Sequence, residues 1–215
     1  MSKDIFKAID VANVEWMKWG GHAWDVRKKF QELPSSDTDD DLERARYVLA
    51  TYCPATKATP SVAQISSDKY AWSAVFMSYL FLQGGYTKDD FPFSAGHSKW
   101  IRRAVRARRG KVIFEFHAHR IDEELATPKV GDLIAYARPD NKKDKLSFEK
   151  AQSWFDRESS YNSHSDLVVA ARDGEIEVIG GNVKDSVLKK IIPLDASGRI
   201  SDRVHPWFAV LRRRQ

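Results

Sequence analysis

His164-Ser165-Asp166-Leu167-Val168-Val169-Ala170-Ala171-Arg172-Asp173-Gly174-Glu175-Ile176-Glu177-Val178-Ile179-Gly180-Gly181-Asn182-Val183 is the stretch on which the reading of this chain turns. On either side of Asp173-Gly174 lie two short runs rich in apolar and β-branched residues, Leu167 to Ala171 and Glu175 to Ile179, which predict strands. Asp-Gly between such runs is the chemistry of a tight hairpin, because glycine takes the positive φ that the turn needs. The same period of two recurs at Val112 to Phe116, Leu133 to Ala137, Val187 to Ile192 and Trp207 to Leu211. Ahead of these segments the apolar spacing is helical. Helices first and an antiparallel sheet later predict an α+β fold.

Working outward, Ile5, Ile9, Ala12 and Trp16 share one face of a helix that stops at Gly20-Gly21. Asp37 to Asp41 gives a second helix an acidic start, favourable beside its N-terminal dipole, and that helix is expected to pack Leu42, Ala45, Leu49 and Tyr52. Thr51 to Pro60 reads as a connector. The expected organisation is an N-terminal helical extension over residues 1–60 and a main domain over 61–215. In the main domain Asp68 is expected to cap a helix running from Lys69 to Leu82, which Gly84-Gly85 end. A further helix carries a run of arginines. Arg138 to Ser163 reads as a charged insertion with a short helix around Phe148 to Phe155.

The 215 residues fit one domain with a helical extension, and 42% hydrophobic with 30% charged residues is the balance of a globular protein. Seven Trp and eleven Phe are expected in the core, with Trp24 and Trp154 as exceptions. The lone Cys53, just before Pro54, excludes an internal disulfide and a multi-cysteine metal site, and reads as a buried thiol. Net charge is +5, and Lys99 to Lys111 holds seven cations without an acidic residue. Such a run is either a solvated helix face or a surface for an anionic partner. No RNP, zinc-finger or helix-turn-helix signature accompanies it, so nucleic acid is not expected. Met1 to Ala12 has no signal-peptide pattern, and Ala74 to Leu82 is about half as long as a membrane span needs. No membrane span is expected, and the protein is expected in the cytoplasm of the cell that makes it.

A nucleophile in the first turn of a helix gains from the helix dipole, and neighbouring backbone N–H groups can hold an oxyanion. Ser73 has that position, next to Trp72. A hydroxyl needs a base, and His164 at the head of a strand is the candidate, with Asn182 or Asp166 to orient its imidazole. Residues i and i+2 of a strand face the same side, so His164 and Asp166 converge. His97 either caps the helix that follows it or lines the cleft of Ser73. With His97, or with His117 and His119, the His164–Asp166 pair is also a conceivable zinc site, although no specific ligand spacing accompanies it. Asp132 is expected to hydrogen-bond nearby backbone. Glu115, Glu123 and Glu124 are the carboxylates a glycan-cleaving enzyme would draw on.

The blocks Trp72-Ser73-Ala74-Val75-Phe76, Phe91-Pro92-Phe93-Ser94-Ala95-Gly96-His97-Ser98, Gly131-Asp132-Leu133-Ile134, His164 to Val169, Gly180-Gly181-Asn182-Val183 and Pro206 to Leu211 resemble the bacterial domain-of-unknown-function family DUF2272, over about Asp68 to Arg212. They are similar, more distantly, to the NlpC-type and CHAP-type peptidoglycan hydrolases. That resemblance implies a papain-like core in the 61–215 domain and hydrolysis of a peptidoglycan amide bond, without a cofactor or metal. By it, Ser73 stands where those enzymes carry a nucleophilic cysteine, His164 where they carry the base, and Gly181-Asn182 in the orienting region. Trp72, His97 and Gly181 are the expected substrate-binding residues. Two departures stand out: serine replaces cysteine, and Gly180 stands where some CHAP domains have glutamate. A wall-hydrolase core on a basic chain without a signal peptide further implies a toxin or lysin. It would be exported by a signal-peptide-independent route to the periplasm of target cells, with an immunity protein or secretion-machine component as partner. The alternatives are a non-catalytic wall- or partner-binding module on the same fold, and a muramidase-type enzyme using carboxylates.

Overall fold

The computed structural model describes residues 2–67, 69–141 and 144–214. The elements run α1 (Ile5–Lys18), β1 (Ala23–Asp25), α2 (Leu42–Tyr47), α3 (Val62–Ile65), α4 (Ser73–Gln83), α5 (Ser98–Arg108), β2 (Phe116–Arg120), β3 (Leu133–Ala137), α6 (Phe148–Ala151), β4 (Ser163–Arg172), β5 (Glu175–Val183), β6 (Ser186–Pro193) and β7 (Trp207–Arg213). The fold is α+β, with a seven-stranded sheet in the order β1-β6-β5-β4-β3-β7-β2. The sheet is mixed and not wholly antiparallel as expected, because β1 pairs in parallel with β6. Three residues flanked by glycines and charges carry too little periodicity to announce a strand, and β1 was not anticipated. The chain forms two compact units, Met1–Ala95 with Ile179–Ile191 (unit 1) and Gly96–Val178 with Ile192–Gln215 (unit 2).

In unit 1, α4 is apolar nearly all round, burying Ala74, Val75, Phe76, Met77, Leu80 and Phe81, as a helix enclosed by its neighbours must. It begins at Ser73, four residues later than Lys69. The reason lies upstream: Ser61 and Gln64 form a capping box that starts α3, and the carbonyl of Gln64 then accepts from the backbone N–H groups of Lys69 and Tyr70. These bonds turn the chain before the long helix can start. Asp68, the expected cap, lies outside the described residues, and Trp72 stands at the N-cap position without a side-chain cap. Around the start of α4, Trp19, Tyr52 and Trp72 stack at 5.2 and 5.8 Å, while Tyr52 meets Phe76 edge-on at 5.1 Å. Glu15 of α1 is buried among them and accepts from Tyr52 Oη at 2.6 Å.

The second expected helix is shorter than its apolar pattern. α2 passes into a π turn over Val48–Tyr52 and a 3₁₀ turn over Cys53–Ala55, so Val48 faces the core and Leu42 is 52% exposed. Cys53 is buried, and burial pushes its thiol up to about 11.

Gly181 of β5 packs against α4. A Cβ at that position would lie 2.5 Å from Phe76 Cγ. Gly181→Ala is therefore expected to cost about 1–3 kcal/mol through overpacking. Chemical denaturation compared with wild type checks it, and an unchanged midpoint would show that Phe76 yields freely.

In unit 2, β3 pairs antiparallel with β4 and with β7, and β7 pairs antiparallel with β2. Asp173-Gly174 makes the turn from β4 to β5, with φ of 76° at Gly174. The strand expected over Val112 to Phe116 is displaced to Phe116–Arg120: Phe114, Phe116 and Ala118 keep the period of two, but Ile113 is 95% exposed and the ladder opens at Phe116↔Arg213. α5 packs Trp100, Ile101, Ala104 and Val105 inward and turns its cations outward. Several of those cations are satisfied within the unit, Arg109 by Asp156 at 2.9 Å and Arg108 by Glu123 at 2.5 Å. Trp154, expected outside the core, is 7% exposed and donates to Asn162 O, whereas Trp24 is half-buried. Among the described residues no helix is long and apolar enough to cross a membrane.

Candidate functional site

The residues expected to carry chemistry fall into two groups, one in each unit. In unit 1, Ser73 is the first residue of α4 and is buried. Its neighbour Trp72 is fully buried and donates its indole N–H to Asp39 Oδ2 at 2.5 Å. Asn182 reaches the same oxygen through its amide at 3.5 Å. Asp39 is itself 2% exposed, and its backbone N–H donates to Asp185 O at 2.7 Å. Asn182 has φ of 53°, a left-handed conformation that asparagine tolerates better than most residues. Trp72 and Asn182 thus meet through a carboxylate that the sequence reading took only as part of an acidic helix start.

In unit 2, β4 brings His164 and Asp166 to one side of the strand. His164 Nε2 and Asp166 Oδ1 lie 2.9 Å apart, and both side chains are fully buried. The other ring nitrogen, Nδ1, accepts from Arg138 Nη2 at 3.0 Å. A guanidinium has no acceptor, so Nδ1 carries the lone pair and Nε2 the proton, which goes to Asp166. The ring is therefore neutral between a carboxylate and a cation. It is sandwiched between Tyr136, its cross-strand partner on β3, and His97, both at 4.7 Å between centroids.

His97 stands at the N-cap position of α5 but makes no side-chain cap bond. Its Nδ1 instead accepts from Ser165 N at 3.1 Å and faces Ser165 Oγ at 2.9 Å, while Trp100 Nε1 donates to the same hydroxyl at 3.0 Å. Because Nδ1 accepts, His97 carries its proton on Nε2. Such an array, with defined tautomers in a dry setting, holds one imidazole in a fixed orientation.

His117 and His119 lie inside β2 and not at its end. Asp132 accepts from Lys129 N at 2.8 Å and Arg213 N at 2.7 Å, the nearby backbone bonding anticipated for it. Burial lifts its carboxyl to about 6. Among the described residues no group of three or more His, Cys, Asp or Glu is placed to hold a metal ion. No local signal in the sequence marks Arg138, Tyr136, Trp100 and Ser165 as neighbours of His164, and Tyr136 reaches it only through the pairing of β3 with β4.

A family model described as an uncharacterized protein conserved in bacteria (DUF2272) matches residues 38–213, beginning well before Asp68. No curated protein and no solved structure matches the chain.

Proposed function

The chain belongs to the DUF2272 family, and from that premise we propose that it is a hydrolase of bacterial peptidoglycan that cleaves an amide bond on a papain-like core related to the NlpC and CHAP enzymes. Ser73 attacks the carbonyl from the first residue of α4. His164 takes the hydroxyl proton and returns it to the leaving amine. Asp166 holds the imidazole and balances its charge. The observation that carries the reading is the buried His164–Asp166 hydrogen bond of 2.9 Å, which leaves only Nδ1 as the basic nitrogen. Arg138 covers that nitrogen, so the reading also requires the guanidinium to move off it when substrate arrives. Trp72, His97 and Gly181 belong to the substrate-binding side of the proposal. An export route and an immunity partner belong to its biological side.

A second reading is favoured by one specific observation: both nitrogens of His164 are engaged and the ring is fully buried. A non-catalytic wall-binding module keeps such an array as structure alone.

Digestion of purified peptidoglycan by wild type and Ser73→Ala, with products resolved by mass spectrometry, separates the two. Amide cleavage that disappears in Ser73→Ala is the expected result. Glycan cleavage that survives the substitution would move the chemistry to carboxylates, and no cleavage by either protein would leave the binding module.

A further inference from the structure

We propose that unit 2 carries a binding pocket for a phosphate monoester at the edge of the sheet, between β2 and the end of β7. The cavity there measures about 340 Å³, and His117, His119, Lys129, Asp132 and Arg212 to Arg214 line it. The proposal stands independently of the hydrolase reading, because it uses none of the residues assigned to that reaction.

The strand register creates the site. Arg212 lies directly across the ladder from His117, so the two side chains share a face of the sheet, and His119, two residues on, shares it too. Arg212 and Arg213 are the last residues of the paired strand β7, which fixes where those cations stand. Lys129 joins them from the turn before β3.

Charge is the second element. Four cationic side chains line the cavity against one carboxylate. That carboxylate, Asp132, already spends its two oxygens on backbone N–H groups and lies 3.9 Å from Arg212 Nε. Arg213 is paired outside the lining residues, with Glu115 at 3.0 Å. Arg214 and Lys129 have no ion-pair partner among the described residues. Arg212 Nε is buried without a hydrogen-bond partner, although the same guanidinium donates from Nη1 to Leu125 O at 3.2 Å. A buried donor left unmade costs free energy that an oxyanion in the cavity would recover.

The imidazoles select the kind of anion. Among the described residues the His117 imidazole has no hydrogen-bond partner, and the His119 imidazole meets only Glu123, whose Oε2 lies 3.5 Å from Nδ1. Burial comes first in holding both rings below the ordinary histidine value. Arg214 and Arg108 add to this at His117. Arg108 and Arg212 add to it at His119, where Glu123 opposes them. Both imidazoles are therefore biased towards their neutral form. A phosphate monoester, with a second ionisation near pH 6 and three acceptor oxygens, matches an array of separate guanidinium, ammonium and imidazole donors better than a planar monoanionic carboxylate does. The volume exceeds what inorganic phosphate fills and leaves room for an organic group on the fourth oxygen.

The test follows the His117 and His119 ring resonances by NMR across pH at constant ionic strength. Inorganic phosphate, glycerol phosphate, citrate and vesicles containing phosphatidic acid are added in turn. Saturable binding of glycerol phosphate, with both histidines titrating at higher pH than in the free protein, is the expected result. Arg212→Gln and the exposed Lys129→Gln should each weaken it roughly tenfold, the loss of one charge-assisted hydrogen bond. Binding of vesicles but not of soluble glycerol phosphate would assign the same phosphate chemistry to a lipid headgroup. Equal shifts with citrate would overturn the phosphate assignment, and no shift beyond that of sodium chloride would overturn the site. Lys129→Gln alters only an exposed side chain, so its result stands even if Arg212→Gln does not fold.

Discussion

Under the proposed hydrolase reading, Asp166→Asn is expected to lower turnover of peptidoglycan by about four orders of magnitude, the loss seen when a buried carboxylate is removed from a catalytic histidine. The substitution keeps the shape, and the asparagine oxygen still accepts the Nε2 proton of His164 across 2.9 Å. What disappears is charge. As His164 gains a proton in the transition state, the imidazolium sits fully buried beside the Asp166 carboxylate. Without the Asp166 carboxylate, a buried imidazolium has nothing to balance its charge. The barrier rises by about 5 kcal/mol on that account. Release of amines measured for both proteins, with circular dichroism to confirm that the variant folds, checks the expectation. Wild-type turnover in Asp166→Asn would mean that His164 never becomes charged and that the cluster is structural.

The sheet was the most readable part of the chain because half-buried strands write their period directly into sequence. Leu133 to Ala137 coincides with β3, and the expected strands within β4, β5, β6 and β7 fall inside longer observed ones. Boundaries failed where partners decide them. β4 extends back to Ser163 because Tyr136 and Ala137 pair with His164 and Ser163, and no local propensity in Ser163-His164-Ser165-Asp166 announces that. The start of α4 failed for a related reason: the capping box of Ser61 and Gln64 and the turn that follows it consume the segment that the apolar pattern of α4 would otherwise extend into.

For the site, the convergence of His164 with Asp166 followed from strand geometry alone, since i and i+2 need no knowledge of the rest of the fold. Asp39 did not. An acidic run ahead of a helix has an adequate local explanation in the dipole, and its real partner, the Trp72 indole, is 33 residues away. Arg138 was hidden in the same way, because its guanidinium meets an imidazole 26 residues later in the chain. Local rules name side chains. Pairing decides which of them meet.

Asp132 ties this to a measurable property of the whole protein. Its carboxyl is held at about 6, above the ordinary 3.8, because burial outweighs the two backbone N–H groups and the nearby Arg212 and Arg213 that favour its charge. The sign follows directly. Below pH 4 the group is protonated whether the chain is folded or not, and it contributes no penalty. Between about pH 4 and 6 the unfolded chain releases the proton first, so the folded protein binds more protons and stability falls as pH rises. The cost is complete above about 6, and two units of displacement amount to about 3 kcal/mol. His117 and His119 act in the opposite sense, since their lowered values make the folded state gain stability as pH rises through the histidine range. The wild-type curve alone therefore mixes the two. Its difference from Asp132→Asn isolates the carboxyl, because asparagine keeps an acceptor for one of the two N–H groups and cannot ionise. Urea unfolding of both proteins from pH 4 to 7 is expected to show the wild type losing about 3 kcal/mol relative to the variant across that window. A flat difference would mean that Asp132 ionises as freely in the fold as in the unfolded chain, and that the carboxylate balances the cations around it more fully than its burial allows.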